Sequence, residues 1–346
     1  MATRRWFIGT VTAAVAGAIL RPPCAYSDEA SINERMSGDI APTHDPCIIR
    51  QGDTYYVFGT SMPGSPGSPG ITLRTSKDLV HWTARTPLFS SIPDWAAAAV
   101  PGTKGMWAPD ITLFKGKYYL YYAYSSFGSN RSAIGLSTAT TLDPDSPQYG
   151  WTDQGLVLMS HEDDDFNAID PARFVDLRAK HWLIWGSFWS GIKMRRIDAD
   201  SGKPLDGEPK IYSLASRPEP SGAPDPIEAP FMIERKGYYY LFASYDYCCK
   251  GVQSTYYTAV GRSKDVTGPF LGRSGQSMAQ GFGTVILRAD LKEQGRWRGP
   301  GHCAVFNDDG QDYIVYHAYD KSNHGVPTLR IDPITWTDDG WPSVKS

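Results

Sequence analysis

The chain has 346 residues, a formal net charge of −3 and 41% hydrophobic content. No Lys/Arg cluster marks a nucleic-acid or anionic-membrane partner, and no stretch reaches the roughly 18 apolar residues needed to span a bilayer. Thirty-four glycines, 26 prolines and 13% aromatic residues suit many short strands joined by turns.

The N-terminus reads Thr3-Arg4-Arg5-Trp6-Phe7-Ile8, followed by a weakly apolar run rich in Ala, Gly and Thr to Leu20. Paired arginines before such a run predict a twin-arginine export signal, with an ordinary secretory signal as the alternative. Residues 1–25 are therefore excluded from the fold, and losing Arg4, Arg5 and Arg21 takes the remainder to about −6. Export permits disulfides, but Cys47, Cys248, Cys249 and Cys303 are too few for a disulfide-dependent scaffold. The adjacent Cys248 and Cys249 either bridge or stay reduced, in a structural role. Residues 27–37 are polar and read as a mobile or peripheral lead-in.

From Asp45 onward one pattern recurs. An acidic residue beside a proline opens a hydrophobic strand ending in paired aromatics: HDPCIIRQGDTYYVFGTS, APDITLFKGKYYLYYAYS, DPARFVDLRAKHWLIWGSF, EAPFMIERKGYYYLFASY and, more loosely, GHCAVFNDDGQDYIVYHAYD. A spacing of roughly 60 to 70 residues argues for radial repetition, one four-stranded sheet per repeat. The expected fold is all-β, a single-domain five-bladed β-propeller over residues 38–346. In the first repeat, residues 71–75 and 80–83 are outer strands, and MPGSPGSPG at 62–70 is a surface loop. SAIGLSTATTL, IKMRRIDADSGKPL and YTAVGRSKDVTGPF read as outer edges of the next three blades. Residues 277–287 and 328–341 are assigned to the last blade. No long helical period and no dividing linker is visible.

Any one acid beside Pro is an ordinary turn residue, its side chain accepting backbone N–H bonds while Pro pins an extended path. Asp45, Asp170 and Glu228, however, read as the same position in three repeats, which symmetry would bring to one axis. Carboxylates facing one pit repel, so one is expected to hold its proton near neutral pH and act as a donor. Trp107, Phe127 and Trp189 flank the same points and offer stacking faces for sugar rings. Paired carboxylates with aromatic platforms point to glycoside hydrolysis of a neutral polymer.

An ordered set of segments extends this reading: His44-Asp45-Pro46, Trp107-Ala108-Pro109-Asp110, Asn167-Ala168-Ile169-Asp170-Pro171, Ser187-Phe188-Trp189-Ser190-Gly191-Ile192, Ile227-Glu228-Ala229-Pro230, Cys248-Cys249-Lys250-Gly251 with Ser254-Thr255-Tyr256, Gly299-Pro300-Gly301-His302 and Tyr316-His317-Ala318-Tyr319-Asp320. Together they resemble glycoside hydrolase family 43, and within it the endo-α-1,5-L-arabinanases, over essentially the whole chain after the signal. The resemblance implies a five-bladed propeller and an inverting mechanism, with Asp45 as general base, Glu228 as general acid and Asp170 holding Glu228 and raising its pKa. Inversion implies base and acid about 6.5–9.5 Å apart. The matched segments add Asn167 and Ser187 to Trp107, Phe127 and Trp189 as substrate-binding candidates. They also imply a metal ion, often calcium, at His317 near the axis, held mainly through water; a packing histidine is the alternative. His44 is read as an orienting neighbour of Asp45, and Asp110 as a brace rather than a sugar contact. The expected partner is arabinan or its oligosaccharides, cut internally by an exported monomer. Exo-acting α-L-arabinofuranosidase or β-xylosidase action and a non-catalytic sugar-binding propeller are the alternatives.

Overall fold

In the second repeat, Trp107–Phe114 and Lys117–Tyr124 close on the pair Phe114 and Lys117, leaving Lys115 (φ 48°) and Gly116 (φ 74°) as the whole turn. Two successive left-handed residues match the right-handed twist of a hairpin. Lys236-Gly237 (φ 49° and 75°) and Asp309-Gly310 (φ 47° and 92°) repeat the device between the first two strands of the fourth and fifth repeats. The sequence thus writes the innermost hairpin of each of these blades locally.

The computed structural model describes residues 31–61, 68–219, 221–289 and 295–344. The export signal at 1–25 and residues 62–67 of the proline-glycine loop lie outside the described residues. Five sheets follow one another along the chain, as expected of a propeller. The first blade is Cys47–Gln51, Thr54–Gly59, Ile71–Ser76 and His81–Leu88; the second is Trp107–Phe114, Lys117–Tyr124, Ser132–Ala139 and Thr152–Ser160. The third is Ala172–Val175, His181–Trp185, Ile192–Ile197 and Tyr212–Ala215. The fourth is Ile227–Arg235, Tyr238–Tyr245, Tyr257–Ser263 and Thr284–Leu287; the fifth is Trp297–Asp308, Gln311–Asp320, Val326–Trp336 and Pro342–Val344. Two expectations are corrected here. The segments expected at the outer edges of the second to fourth blades are their third strands, because each blade adds one more strand outside. Residues 277–287 complete the fourth blade, not the fifth: Val285 pairs with Ala259 and Leu287 with Thr258.

The strands are buried on both faces because the blades stack, and the apolar residues collect between blades. Phe58, Leu73, Leu120 and Tyr122 join the first to the second, and Tyr121, Leu136, Leu183 and Trp185 the second to the third. Ile184, Met194, Leu241 and Phe270 join the third to the fourth, and Phe242, Val260, Ile314 and Tyr316 the fourth to the fifth. Val57, Trp82, Val315 and Leu329 close the ring from fifth to first.

From Ser31 on, the lead-in is peripheral and tied down, not mobile. Ser31 and Glu34 form a capping box around the short helix Ile32–Arg35, and Ser37–Gly38 adds a parallel strand to the edge of the first blade. The buried Asn33 side-chain oxygen accepts the Ile331 N–H at 2.8 Å, and Ile40 C=O accepts the Leu329 N–H at 2.9 Å. This segment clasps the last blade to the first. Asn33→Ala leaves the buried Ile331 N–H unpaired, so denaturant unfolding is expected to show a loss of about 1–3 kcal/mol with turnover by the folded protein unchanged.

Candidate active site

Each innermost strand carries a residue in the left-handed region, just before it or within it: Asp45 (φ 49°), Ala108 (46°), Asp170 (56°), Ala229 (53°) and His302 (50°). Such a conformation is unfavourable for residues with a Cβ and persists only where surroundings enforce it. Proline follows in four of the five, pinning the path outward into the strand. Register breaks fall at the same place, between Trp107 and Asp110, Glu228 and Phe231, and on both sides of Gly301. A bulge there re-aims the side chains around it.

This geometry corrects the alignment of the acids. Asp45 and Asp170 are equivalent, but Ala229 holds that position in the fourth blade, so Glu228 sits one residue earlier, alongside His44 and Trp107. The fifth member is His302, which sequence reasoning missed although the repeat places it opposite Asp45 and Asp170 in the pattern. Glu is longer than Asp by one methylene and comes from the neighbouring position. The three carboxylates still form one cluster: Glu228 and Asp45 both act on the charge of Asp170, and Asp45 on that of Glu228.

Asp45 is buried and surrounded by donors. Its Oδ1 lies 2.8 Å from His44 Nδ1 and 3.0 Å from His302 Nδ1, and its Oδ2 accepts the Thr60 hydroxyl at 2.5 Å. The Thr60 oxygen in turn accepts the Ala108 N–H at 2.8 Å, linking the first two blades. Burial alone would raise the Asp45 carboxyl, but His44 and His302 outweigh it and hold it well below the usual carboxylate range. Burial likewise opposes charge on His302, yet Asp45 first, then Asp170 and Glu228, push its imidazole up to about 9. Asp45 therefore stays ionised through the neutral range, the form a general base requires.

Glu228 and Asp170 behave oppositely. Burial is the first cause of a raised pKa at both; the charge of Asp45 adds to it at Glu228, and the charges of Glu228 and Asp45 add to it at Asp170. The expectation of one proton-holding acid thus becomes a coupled pair that retains a proton near neutrality. Burial, rather than the Asp170 charge, leads at Glu228. Their contacts separate their roles. Asp170 Oδ2 accepts the Ala229 N–H at 3.0 Å and so grips the peptide following Glu228, while Ser187 donates its hydroxyl to Glu228 Oε2 at 2.7 Å. Ser187 was expected on substrate; its single proton is directed at the acid.

The remaining candidates surround this cluster. Trp107 and the highly exposed Phe127 face each other with ring centroids 5.1 Å apart on the second blade. Phe188 and Trp189 both lie in the left-handed region (φ 55° and 46°), held by the Gly191 N–H to Phe188 C=O and the Asp225 N–H to Trp189 C=O. Phe188 lies 5.8 Å from Tyr247. Asn167 is buried with its side-chain oxygen unpartnered. Asp110 braces as expected, but onto the next blade: its Oδ2 accepts the Arg173 N–H at 2.8 Å, and burial pushes its carboxyl up to about 7.

His317 is fully buried and stacks on His44 with centroids 3.9 Å apart. Its Nδ1 faces the Asp45 N–H at 3.2 Å, and its Nε2 has no partner. Burial first, then the charge of His44, keeps its imidazole neutral, as a metal ligand must be. With His44 and Asp45 it offers three ligand atoms within 4.8 Å of one another. These residues fit a cation.

A raised-pKa acid and an ionised carboxylate in one buried cluster, with half-buried and exposed aromatic rings on the neighbouring segments, are the equipment of a glycoside hydrolase on a propeller. The chain belongs to the glycosyl hydrolases family 43, whose model matches residues 40–342. It is 42% identical over 310 residues to the extracellular exo-α-(1→5)-L-arabinofuranosidase of Cellvibrio japonicus, covering 87% of this chain and 86% of that protein. It is equally identical, over 301 residues, to the extracellular endo-α-(1→5)-L-arabinanase 1 of Bacillus subtilis, covering 87% of each. Among solved structures it superposes on the Cellvibrio cellulosa α-L-arabinanase complexed with arabinohexaose with a TM-score of 0.81 at 40% identity, covering 88% and 95% of the two chains.

Proposed function

We propose that this protein is an exported endo-α-1,5-L-arabinanase that hydrolyses the backbone of arabinan with inversion, Asp45 serving as base and Glu228 as acid. The observation carrying this reading is the opposite poise of the two buried carboxyls within one cluster. Asp45, ionised and oriented by three donors, takes a proton from the attacking water. Glu228, protonated by virtue of burial and oriented by Ser187, gives its proton to the departing glycosidic oxygen. Asp170 fixes the Glu228 peptide and shares its proton equilibrium. His302 keeps positive charge beside Asp45 and within reach of the other acids. Every one of these groups comes from one chain, which supports action as a monomer.

Internal cleavage requires the polymer to pass on both sides of the acid–base pair. The Trp107–Phe127 pair of the second blade and the Phe188–Trp189 turn with Tyr247 offer two separate platforms for this. Asn167, with a free buried oxygen near the opening of the third blade, suits a sugar hydroxyl. The exo alternative rests on the Cellvibrio japonicus relative. Linear debranched arabinan distinguishes them: the endo reading expects viscosity to fall ahead of reducing-end release and mixed oligosaccharides from the start. One fixed short product from the outset would overturn it, and a preference for xylan oligomers would overturn the substrate. The Arg4-Arg5 pair before a weakly apolar run supports export, in keeping with the extracellular names of the relatives.

His317 is proposed to hold a calcium ion at the axis, largely through water, beside the Asp45 carboxylate. Such an ion supplies positive charge to an acidic pit. Calorimetry should show calcium binding to the chelated wild type and its loss in His317→Ala; equal binding by both would return His317 to a packing role.

A further inference from the structure

The loop following the fourth blade's second strand contains a bridge between adjacent residues, Cys248–Cys249, the one disulfide among the described residues. Cys249 is exposed and left-handed, at φ 67°. Its backbone N–H donates to the Tyr319 hydroxyl at 2.8 Å, and that hydroxyl lies 2.8 Å from His44 Nε2. His44 Nδ1 is 2.8 Å from Asp45 Oδ1. A backbone N–H can only donate, so it occupies one acceptor site of the Tyr319 oxygen, whose own proton can be donated to His44 Nε2. In the tautomer that accepts at Nε2, His44 donates from Nδ1 to Asp45. One directional chain therefore runs from the disulfide turn to the carboxylate.

We infer that Tyr319 and the Cys248–Cys249 turn are positioning elements for Asp45, so that reducing the bridge slows turnover without removing any group that touches substrate. The inference rests on Asp45 being the base. The bridge closes a small ring around the Cys248–Cys249 peptide and holds Cys249 in a conformation that a residue with a Cβ otherwise leaves. Release lets the N–H turn away from Tyr319, and His44 loses the partner that fixes its ring and tautomer. A dithiol reagent delivers two electrons and two protons: the S–S bond breaks, both sulfurs become thiols and the reagent ends as a cyclic disulfide. Cys47 and Cys303 are buried and already thiols, so the reagent has no other target among the described residues.

The test measures kcat and KM on linear arabinan for the full-length wild type, Tyr319→Phe and the double variant Cys248→Ser/Cys249→Ser, each with and without dithiol, with free thiols counted by mass spectrometry. Small displacement of a reacting group slows chemistry steeply, so Tyr319→Phe and the double variant should each lose roughly tenfold in kcat with KM nearly unchanged. Dithiol should bring the wild type to the same level and leave both variants where they are. A merely structural loop would instead change KM, or let dithiol slow Tyr319→Phe by the same factor as the wild type. Wild-type kcat in Tyr319→Phe, or an unaffected wild type after two thiols appear, overturns the inference; the second readout stands even if a variant fails to fold. Asp45→Asn is run in parallel. If it is inactive while Tyr319→Phe is normal, only the positioning chain fails; if it remains active, the base assignment itself fails.

Discussion

Replacing Glu228 with alanine is expected to lower kcat on linear arabinan by about 10²–10⁴-fold, the usual contribution of a positioned proton donor. The same variant should lose less than about tenfold on an aryl arabino-oligosaccharide whose phenol departs as the anion. A sugar alkoxide leaves only with a proton, and Glu228 is an acid whose pKa burial raises. A phenolate needs none. The pH dependence has a defined sign. Because the folded-state pKa of Glu228 is raised, the competent acid is present at lower pH and is lost as pH rises through that value, so arabinan turnover should fall on the alkaline side. The aryl substrate should show a much weaker fall. Asp170→Asn should move this limb to lower pH, though only part of the way to an ordinary carboxylate, because burial is the leading cause and survives the substitution. Parallel rate–pH profiles on the two substrates check both statements.

Asp45→Ala is the second large effect, and its pattern differs. Both substrates still need an activated water, so both should fall by about 10²–10⁴-fold. Azide should restore turnover on the aryl substrate, since a small anion attacks without surrendering a proton, and the product should be the inverted glycosyl azide. The ratio of rates on the two substrates separates the roles: large for Glu228→Ala, near the wild-type ratio for Asp45→Ala. Equal losses on the aryl substrate would mean that base and acid are misassigned.

The fold was legible because each blade is written locally, in runs such as Tyr118 to Tyr124 preceded by a two-residue left-handed turn. What could not be read was which strand lies at the outer edge. Short fourth strands such as Thr284–Leu287 and Tyr212–Ala215 carry little pattern of their own and are fixed by pairing. The acids were visible for the same local reason, but their alignment slipped by one residue at Glu228. A bulge there shifts the frame, and only the backbone reveals that Ala229, not Glu228, occupies the left-handed site. His302 stood in the loosest repeat, where Cys303 replaces the proline, so the marker that flagged Asp45 and Asp170 was missing. Thr60 and Tyr319 stood inside quoted segments, but they act through partners distant in sequence, so their tasks follow only from the contacts. Ser187 was singled out by its neighbours, while its task, orienting Glu228, follows only from the 2.7 Å contact.

The most direct test of the account is the anomeric configuration of the first product, followed by proton NMR during the opening turnovers on linear arabino-oligosaccharide, before mutarotation. Asp45 delivering water opposite the bond that Glu228 protonates predicts release of the β-anomer from the α-1,5 linkage. Initial release of the α-anomer would require a covalent intermediate on the protein and would contradict the division of labour between Asp45 and Glu228.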